Sequence, residues 1–468
     1  MDELIAEIIE HCVTELELPQ MRPGVPLSEL GIDSMEFLAL YAHLSTKLGV
    51  AFDESMLEQD LSIESLVDRM KVARERERER ERVACDHSSD RAIGSTYVTS
   101  LANRYSYLRL RRRNFDDWIT YCDPVIMNTA ISDDELRNAA VDAVNRFDSL
   151  RLRLEWTDQG VMTERISGRY SEAPYVSVRC PEYVQPSQFE TWLRQRVLSV
   201  GQGMNISGNS FVLMCVRDCP DARDRLIMMV HHVAADGISL RIISDSIFHY
   251  LKHGPSAVRP VVPTFESFSR AYRRHYERCA EEQAEYWLKM PWSEAKASQL
   301  KLDIDDQKNT EKYTDYVEGT IKFDSRESTK RDSHSIHDKL MLAIGRAYCK
   351  FFGARTALIA SVSHGRIGYG GVNSGAVAGW INDVIPYLIN GCVPVDEELP
   401  NISAHSSYVK GAPAAFNYLK HVGVNLAGLQ DLLRPQVSVN FTVGRRFPFN
   451  YYGVARKDDY ISLGSPES

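Results

Sequence analysis

The sequence predicts two unlike folding units, a small all-α domain and a larger α/β domain of two lobes, and three observations predict them. Apolar residues recur at helical spacing through residues 1 to 72, and Arg74 to Arg82 then alternates arginine and glutamate without a break. From about residue 94, helical patterns alternate with short apolar runs suited to strands. A chain of 468 residues, 44% apolar and 25% charged, is long enough for several cores and has a globular composition.

In the first domain Ile5, Ile8, Ile9, Cys12, Val13 and Leu16 repeat at helical spacing, and Leu18-Pro19 ends that run ahead of a loop with Pro23, Gly24 and Pro26. A second helix starts at Asp33-Ser34 and carries Phe37, Leu38, Tyr41, Leu44 and Leu48. A last one, roughly Ser62 to Val72, carries Ile63, Leu66, Val67 and Met70. The run Arg74 to Arg82 places like charges at i,i+4 on a helix, so it stays solvated whatever its conformation. Residues 73–93 are therefore expected to be a charged linker.

The second domain opens its pattern with a capping box, Ser132-x-x-Glu135, ahead of Leu136, Ala140, Val144 and Phe147. Leu150 to Trp156 alternates apolar and charged residues, as a half-buried strand does. Leu226 to Val230 suits a buried strand; a histidine pair and an Asp-Gly turn follow, then a helix that stops at Gly254. A helix from about Phe265 to Met290 leads to a second half, where Ile336 to Phe352 is helical, Gly353 ends it and Ala357 to Ser363 is a strand.

Composition excludes some functions. A net charge of -9 argues against a broad nucleic-acid-binding face. The charge is concentrated: residues 1–72 hold 15 acidic against four basic side chains, a surface that basic partners can read. The nine scattered cysteines form no Cys-x-x-Cys pair and indicate neither a disulfide framework nor a zinc site; no metal is expected. The N-terminus lacks a basic and apolar leader and no run of eighteen apolar residues occurs, so a cytoplasmic, unanchored protein is expected.

Ser34 opens a helix, where a phosphodiester on its hydroxyl would meet unpaired N–H groups and the positive end of the helix dipole. Its surroundings, Leu27-x-x-Leu30-Gly31-Ile32-Asp33-Ser34-Met35-x-Phe37-Leu38 and Leu44-x-x-x-Leu48-Gly49-Val50-x-Phe52, resemble the acyl carrier protein family over residues 1 to about 72. The resemblance implies a four-helix domain with 4'-phosphopantetheine attached to Ser34 by a phosphopantetheinyl transferase.

The second motif is His231-His232-Val233-Ala234-Ala235-Asp236-Gly237. Strand alternation turns the two imidazoles to opposite faces, so only one of them need be chemical. The motif is similar to the His-His-x-x-x-Asp-Gly signature of nonribosomal peptide synthetase condensation domains, within the coenzyme A-dependent acyltransferase superfamily. Arg146-Phe147-Asp148-Ser149-Leu150-Arg151, Tyr286-Trp287, His364-Gly365-Arg366, Gly379-Trp380-Ile381-Asn382-Asp383 and Val437 to Phe441 resemble further family segments in the same order.

That resemblance implies an α/β fold of two chloramphenicol acetyltransferase-like lobes over residues 94–468, the first about 94–260 and the second about 261–468. It implies that His232 faces the acyl-transfer centre, that Asn382 reaches it from the second half, that His231 and Asp236 are structural, Asp236 through an ion pair, and that Gly237 permits a tight turn. Residues 441–468 look short against the family pattern. The function implied is condensation of a carrier-bound acyl thioester with an amine to give an amide. An acyl-activating enzyme would load the carrier in trans, and an acceptor carrier protein or a free amine would supply the nucleophile. Ester formation with a hydroxyl acceptor, a noncatalytic docking module and an epimerisation domain are the alternatives; neither nucleic acid nor membrane is expected as a partner.

Overall fold

A computed structural model of the chain describes residues 5–6, 8–9, 22–27, 40, 61–72, 96–98, 119–122, 124–156, 162–256, 262–300, 317, 319, 334–369, 372, 374–421, 433, 435–440 and 454–457. In the first domain a helix over residues 63–72 buries Ile63, Leu66, Val67 and Met70, the spacing that its sequence predicts. Ser62 caps it, accepting at Oγ from the Ser65 N–H at 3.3 Å. Ser34, most of the helix expected there and the Arg-Glu run lie outside the described residues.

The first lobe is built on a sheet whose strands are β2 (Ile119–Tyr121), β3 (Val125–Met127), β6 (Tyr175–Arg179), β7 (Phe211–Arg217), β8 (Arg225–His231) and β12 (Ala455–Lys457). They lie in the order β12-β3-β8-β7-β6, with β2 also on β8. Helices Asp133–Arg146 and Gly237–His253 pack on the face that carries Phe211, Leu213, Cys215, Met228 and Val230. Helix Pro186–Gly201 packs on the opposite face, with Val212, Met214, Ile227 and Met229. Both faces of β7 and β8 are thus covered, which is why these strands read as unbroken apolar runs.

The strand alternation expected from Leu150 starts later than the sequence predicts. Asp148–Arg151 is a 3-10 turn and the strand, β4, is Leu152–Trp156, paired antiparallel with β5 (Met162–Ile166), which in turn pairs with β1 (Thr96–Val98). The turn is held because Arg151 donates from Nη1 to the Val144 and Asn145 carbonyls at 2.6 and 3.1 Å, satisfying the C-terminal end of helix Asp133–Arg146. Next to it, the Asp148 carboxylate accepts from the Phe265 and Glu266 N–H groups at 2.7 and 3.0 Å, fixing the start of the helix Phe265–Leu288 that leads to the second lobe.

In the second lobe β9 (Thr356–Ser363) pairs antiparallel with β10 (Asp383–Asn390) and parallel with β11 (Val437–Val439). Ala357, Ile359, Ile385, Tyr387 and Ile389 point to one face, packed with Trp287, Met341, Ile402, Val409 and Phe416 from the surrounding helices. Helix Ile336–Phe352 ends at Gly353, whose φ of 64° is the left-handed conformation expected of a helix-terminating glycine. Among the described residues one strand crosses the expected lobe boundary: β12, late in the chain, pairs with β3 of the first-lobe sheet. A further core joins the lobes, bringing Leu152, Leu154 and Val233 together with Phe265, Phe268, Tyr272, Tyr369, Trp380 and Ile381. No helix among the described residues is long and apolar enough to cross a membrane.

Candidate active site

The histidine pair closes β8, where the sheet ends and the chain turns through the 3-10 segment His232–Ala234 into helix Gly237–His253. His231 is fully buried, and its Nδ1 accepts from the Val233 N–H at 3.3 Å, so it braces the turn. His232 lies on the side of the second lobe, its ring edge-on to Trp380 with centroids 5.3 Å apart. Burial pushes the imidazole below its ordinary value, although the Asp236 carboxylate acts in the opposite direction. At neutral pH it is therefore uncharged and able to accept a proton.

Asp236 is the hub of the arrangement. As the N-cap of helix Gly237–His253 it accepts at Oδ1 from the N–H and Oγ of Ser239, at 2.9 and 2.8 Å. Arg366, itself fully buried, donates from Nη1 to Oδ2 at 2.7 Å and from Nη2 to Oδ1 at 2.8 Å, a two-pronged ion pair across the lobes. The N–H groups of Ile381 and Asn382 complete the set at 3.0 and 3.2 Å from Oδ2. Burial works against the charge, but Arg366 and these donors hold the Asp236 carboxyl below the usual carboxylate range. Ser239 adds a second crossing: its Oγ accepts from the Gly379 N–H at 2.9 Å and lies 2.8 Å from the Gly379 carbonyl oxygen.

The glycine on which this geometry depends is not the expected one. Gly237 has no positive φ, and a Cβ on it would meet nothing within 4 Å, so its backbone imposes no requirement for glycine. Gly365 has a φ of 66°, and a Cβ there would come within 2.2 Å of the Ile381 carbonyl oxygen. Only glycine fits, because it alone lacks the atom that would push the two second-lobe segments apart.

Asn382 is brought to the histidine turn through its backbone, as the last donor to Asp236. The next residue, Asp383, is buried at the start of β10, where Oδ1 accepts from the Val384 N–H at 2.7 Å and from the Asn417 side-chain amide. Burial outweighs these donors and pushes its carboxyl up to about 7. A carboxyl whose folded value is raised favours the folded state at low pH, and that contribution is lost as pH rises from its unfolded value of ~3.9 through about 7. Asp383→Asn should remove a slope of roughly 1 kcal/mol per pH unit over that window, measured by urea unfolding of both proteins at several pH values.

Sequence reasoning anticipated an ion pair for Asp236 without naming its partner. Arg366 lies in one of the segments that resemble the family, but its full burial is a tertiary property that no local pattern announces. Trp380 and Ser239 were likewise missed as contacts, since each acts only through the apposition of the lobes. Tyr286-Trp287 lies away from the histidines: Tyr286 hydroxyl and His405 Nδ1 are 2.6 Å apart, and Trp287 is buried in the second-lobe core. Ser34 is outside the described residues.

Comparison with known proteins bears on both domains. Residues 114–454 match the condensation domain family, and residues 6–70 match the phosphopantetheine attachment site, a domain that carries 4'-phosphopantetheine covalently on a serine. A plipastatin synthase subunit of Bacillus subtilis (strain 168) is 24% identical over 356 residues, covering 72% of this chain and 13% of that protein. A linear gramicidin synthase subunit of Brevibacillus parabrevis is 20% identical over 326 residues, 65% of this chain and 4% of that protein. The chain thus spans a small fraction of the curated relatives it matches. Among solved structures, the epimerization domain from the third module of tyrocidine synthetase B aligns with a TM-score of 0.63 at 14% identity, covering 79% of this chain and 88% of that one. The first condensation domain of the calcium-dependent antibiotic synthetase, in complex with a substrate analogue, aligns with a TM-score of 0.54 at 12% identity, over 77% and 84% of the two chains.

Proposed function

The chain belongs to the condensation domain family, and from that membership we propose that it joins a carrier-bound acyl thioester to an amine, forming an amide in nonribosomal peptide biosynthesis. The observation that carries the reading is the position of His232: an uncharged imidazole at a strand end, with Trp380 of the other lobe against its ring and Asp236, four residues on, latching the lobes together. In the reaction the amine nitrogen attacks the thioester carbonyl, the C–S bond breaks, and the proton lost by the amine ends on the released thiol. Imidazole at 232 accepts a hydrogen bond or the proton from the amine, while the fixed lobes hold both reactants at one place and remove much of the entropic barrier. Asn382 lines the same junction.

Residues 1–72 are, on this reading, a four-helix all-α carrier domain, with 73–93 as a charged linker and 94–468 as the condensation domain. Ser34 is the attachment point, modified by a phosphopantetheinyl transferase; the arm supplies a thiol on which an acyl group is held as a reactive thioester. A separate acyl-activating enzyme loads it, and the acceptor is a carrier protein or a free amine in the cytoplasm. Incubation of the whole chain with a phosphopantetheinyl transferase and coenzyme A should add the mass of one arm, and Ser34→Ala should add none. Acylated protein mixed with candidate amines should then yield amide by mass spectrometry, and loss of the acyl group to every amine at the rate of buffer alone would refute the proposal.

A second reading follows from the likeness to an epimerization domain at a TM-score of 0.63. Exchange of an α-proton on an aminoacyl thioester needs no acceptor. Deuterium wash-in on the loaded chain, without an amine, would favour it.

A further inference from the structure

A second imidazole stands beside the Asp236–Arg366 pair, and amide formation as derived above gives it no task. His364 follows β9 in a segment held through its backbone. The Gly365 N–H donates to Ser363 Oγ at 3.4 Å and the Tyr369 hydroxyl donates to the Gly365 carbonyl at 3.3 Å. Arg366 Nη1, the atom that binds Asp236 Oδ2, also donates to the His364 carbonyl at 3.3 Å. The ring is fixed as well: His364 Nδ1 accepts from the Arg366 N–H at 3.0 Å. Burial first, then the Arg366 charge, push the imidazole down to about 4 against the pull of Asp236, so it is uncharged at neutral pH. A neutral ring whose Nδ1 accepts carries its proton on Nε2 and acts there as a donor.

His231 braces its own turn through the same Nδ1 contact two residues on, but His231 is fully buried. His364 is partly exposed, and among the described residues its Nε2 makes no hydrogen bond. Its surroundings are those of His232. Gly365 packs against the Ile381 carbonyl, Trp380 precedes Ile381 and meets the His232 ring, and the Asp236 charge reaches both imidazoles. On the reading of the chain as a condensation domain that acts on an acyl thioester, we propose that His364 is a second catalytic residue, whose Nε2–H binds the acyl carbonyl oxygen and holds it as it becomes an oxyanion. When the amine nitrogen attacks, the carbonyl π electrons move to that oxygen. They return as the C–S bond breaks, and the His364 proton stays on Nε2 throughout. A neutral imidazole polarises a carbonyl in this way without giving up its proton, and a donor already fixed in place costs no reorganisation as the charge develops.

Two variants separate donation from bracing. In His364→Asn the side-chain oxygen can keep the contact with the Arg366 N–H but the side chain stops short of Nε2, whereas His364→Gln carries an amide donor out to that position. The whole chain, with Ser34 charged by a phosphopantetheinyl transferase from acetyl-coenzyme A labelled with carbon-13 at the carbonyl, gives an isotope-edited infrared band that needs no amine. Free S-acetylpantetheine with the same label serves if no arm attaches. The unchanged protein and His364→Gln should show a carbonyl component at lower frequency than the same thioester free in buffer, and His364→Asn should lack it. Single-turnover amide formation should fall about 10²–10³-fold in His364→Asn, the usual loss for one oxyanion donor, and His364→Gln should recover part of it. Both variants should keep the urea midpoint of the unchanged protein. His364→Ser, whose hydroxyl can brace the same turn, replaces His364→Asn if that variant does not fold. If the unchanged protein forms no amide, the amide reading fails while the infrared band still decides the role of His364. Absence of the low-frequency component in the unchanged protein, its persistence in His364→Asn, or equal single-turnover rates in the two, overturns the proposal.

Discussion

Replacing His232 with alanine should lower the single-turnover rate of amide formation by about 10²–10⁴-fold, the usual contribution of a positioned general base. The same group sets a pH dependence whose sign follows from its surroundings. Burial pushes the imidazole below its ordinary value, so the proton-accepting form prevails at neutral pH and is lost only as pH falls through that lowered value. The unchanged protein should show an acid limb in kcat/KM displaced to lower pH than that of a free imidazole, and His232→Ala should lack that limb. A reduced rate that keeps the limb would assign the titration to another residue.

Asp236→Ala should cost about 3–5 kcal/mol, because it leaves the Arg366 guanidinium buried without its partner. Urea unfolding measures this directly. The double variant Asp236→Ala with Arg366→Met should recover part of the loss, since an ion pair replaced at both ends by apolar groups is often tolerated. Recovery stays incomplete, because the N–H groups of Ser239, Ile381 and Asn382 lose their acceptor as well. A cost below about 1 kcal/mol for the single variant would mean that the hub does not hold the lobes.

Local patterns carried the elements well where the physics is local. The capping box at Ser132 forms in both directions, Ser132 Oγ accepting from the Glu135 N–H and Glu135 accepting from the Ser132 N–H at 2.9 Å. Helix Ile336–Phe352 and its terminating Gly353 match their sequence reading, because periodicity and a left-handed stop are properties of a few adjacent residues. Sequence failed where a distant segment decides. Leu150 and Arg151 alternate as a strand does, yet Arg151 is drawn into a turn by helix carbonyls that precede it. Arg153 reads as the solvent side of a half-buried strand, yet Tyr170 and Ser210 cover it. Gly237 belongs to a motif and was expected to permit a tight turn, whereas the position that admits only glycine is Gly365, marked only by its φ of 66° and by where Ile381 passes. The histidine turn was legible in the residues themselves; the latch around Asp236 was legible as one partner of a pair whose other member lies 130 residues on.

The strand Ala455–Lys457 returns to the first-lobe sheet and pairs with Val125–Met127 after the chain has traversed the whole second lobe. Swapping either half for that of a homologue at the 257–261 connection would therefore mix parents within a single sheet. Chimeras intended to alter selectivity should take Ala455–Lys457 from the same parent as Val125–Met127, or exchange residues 94–468 as one block.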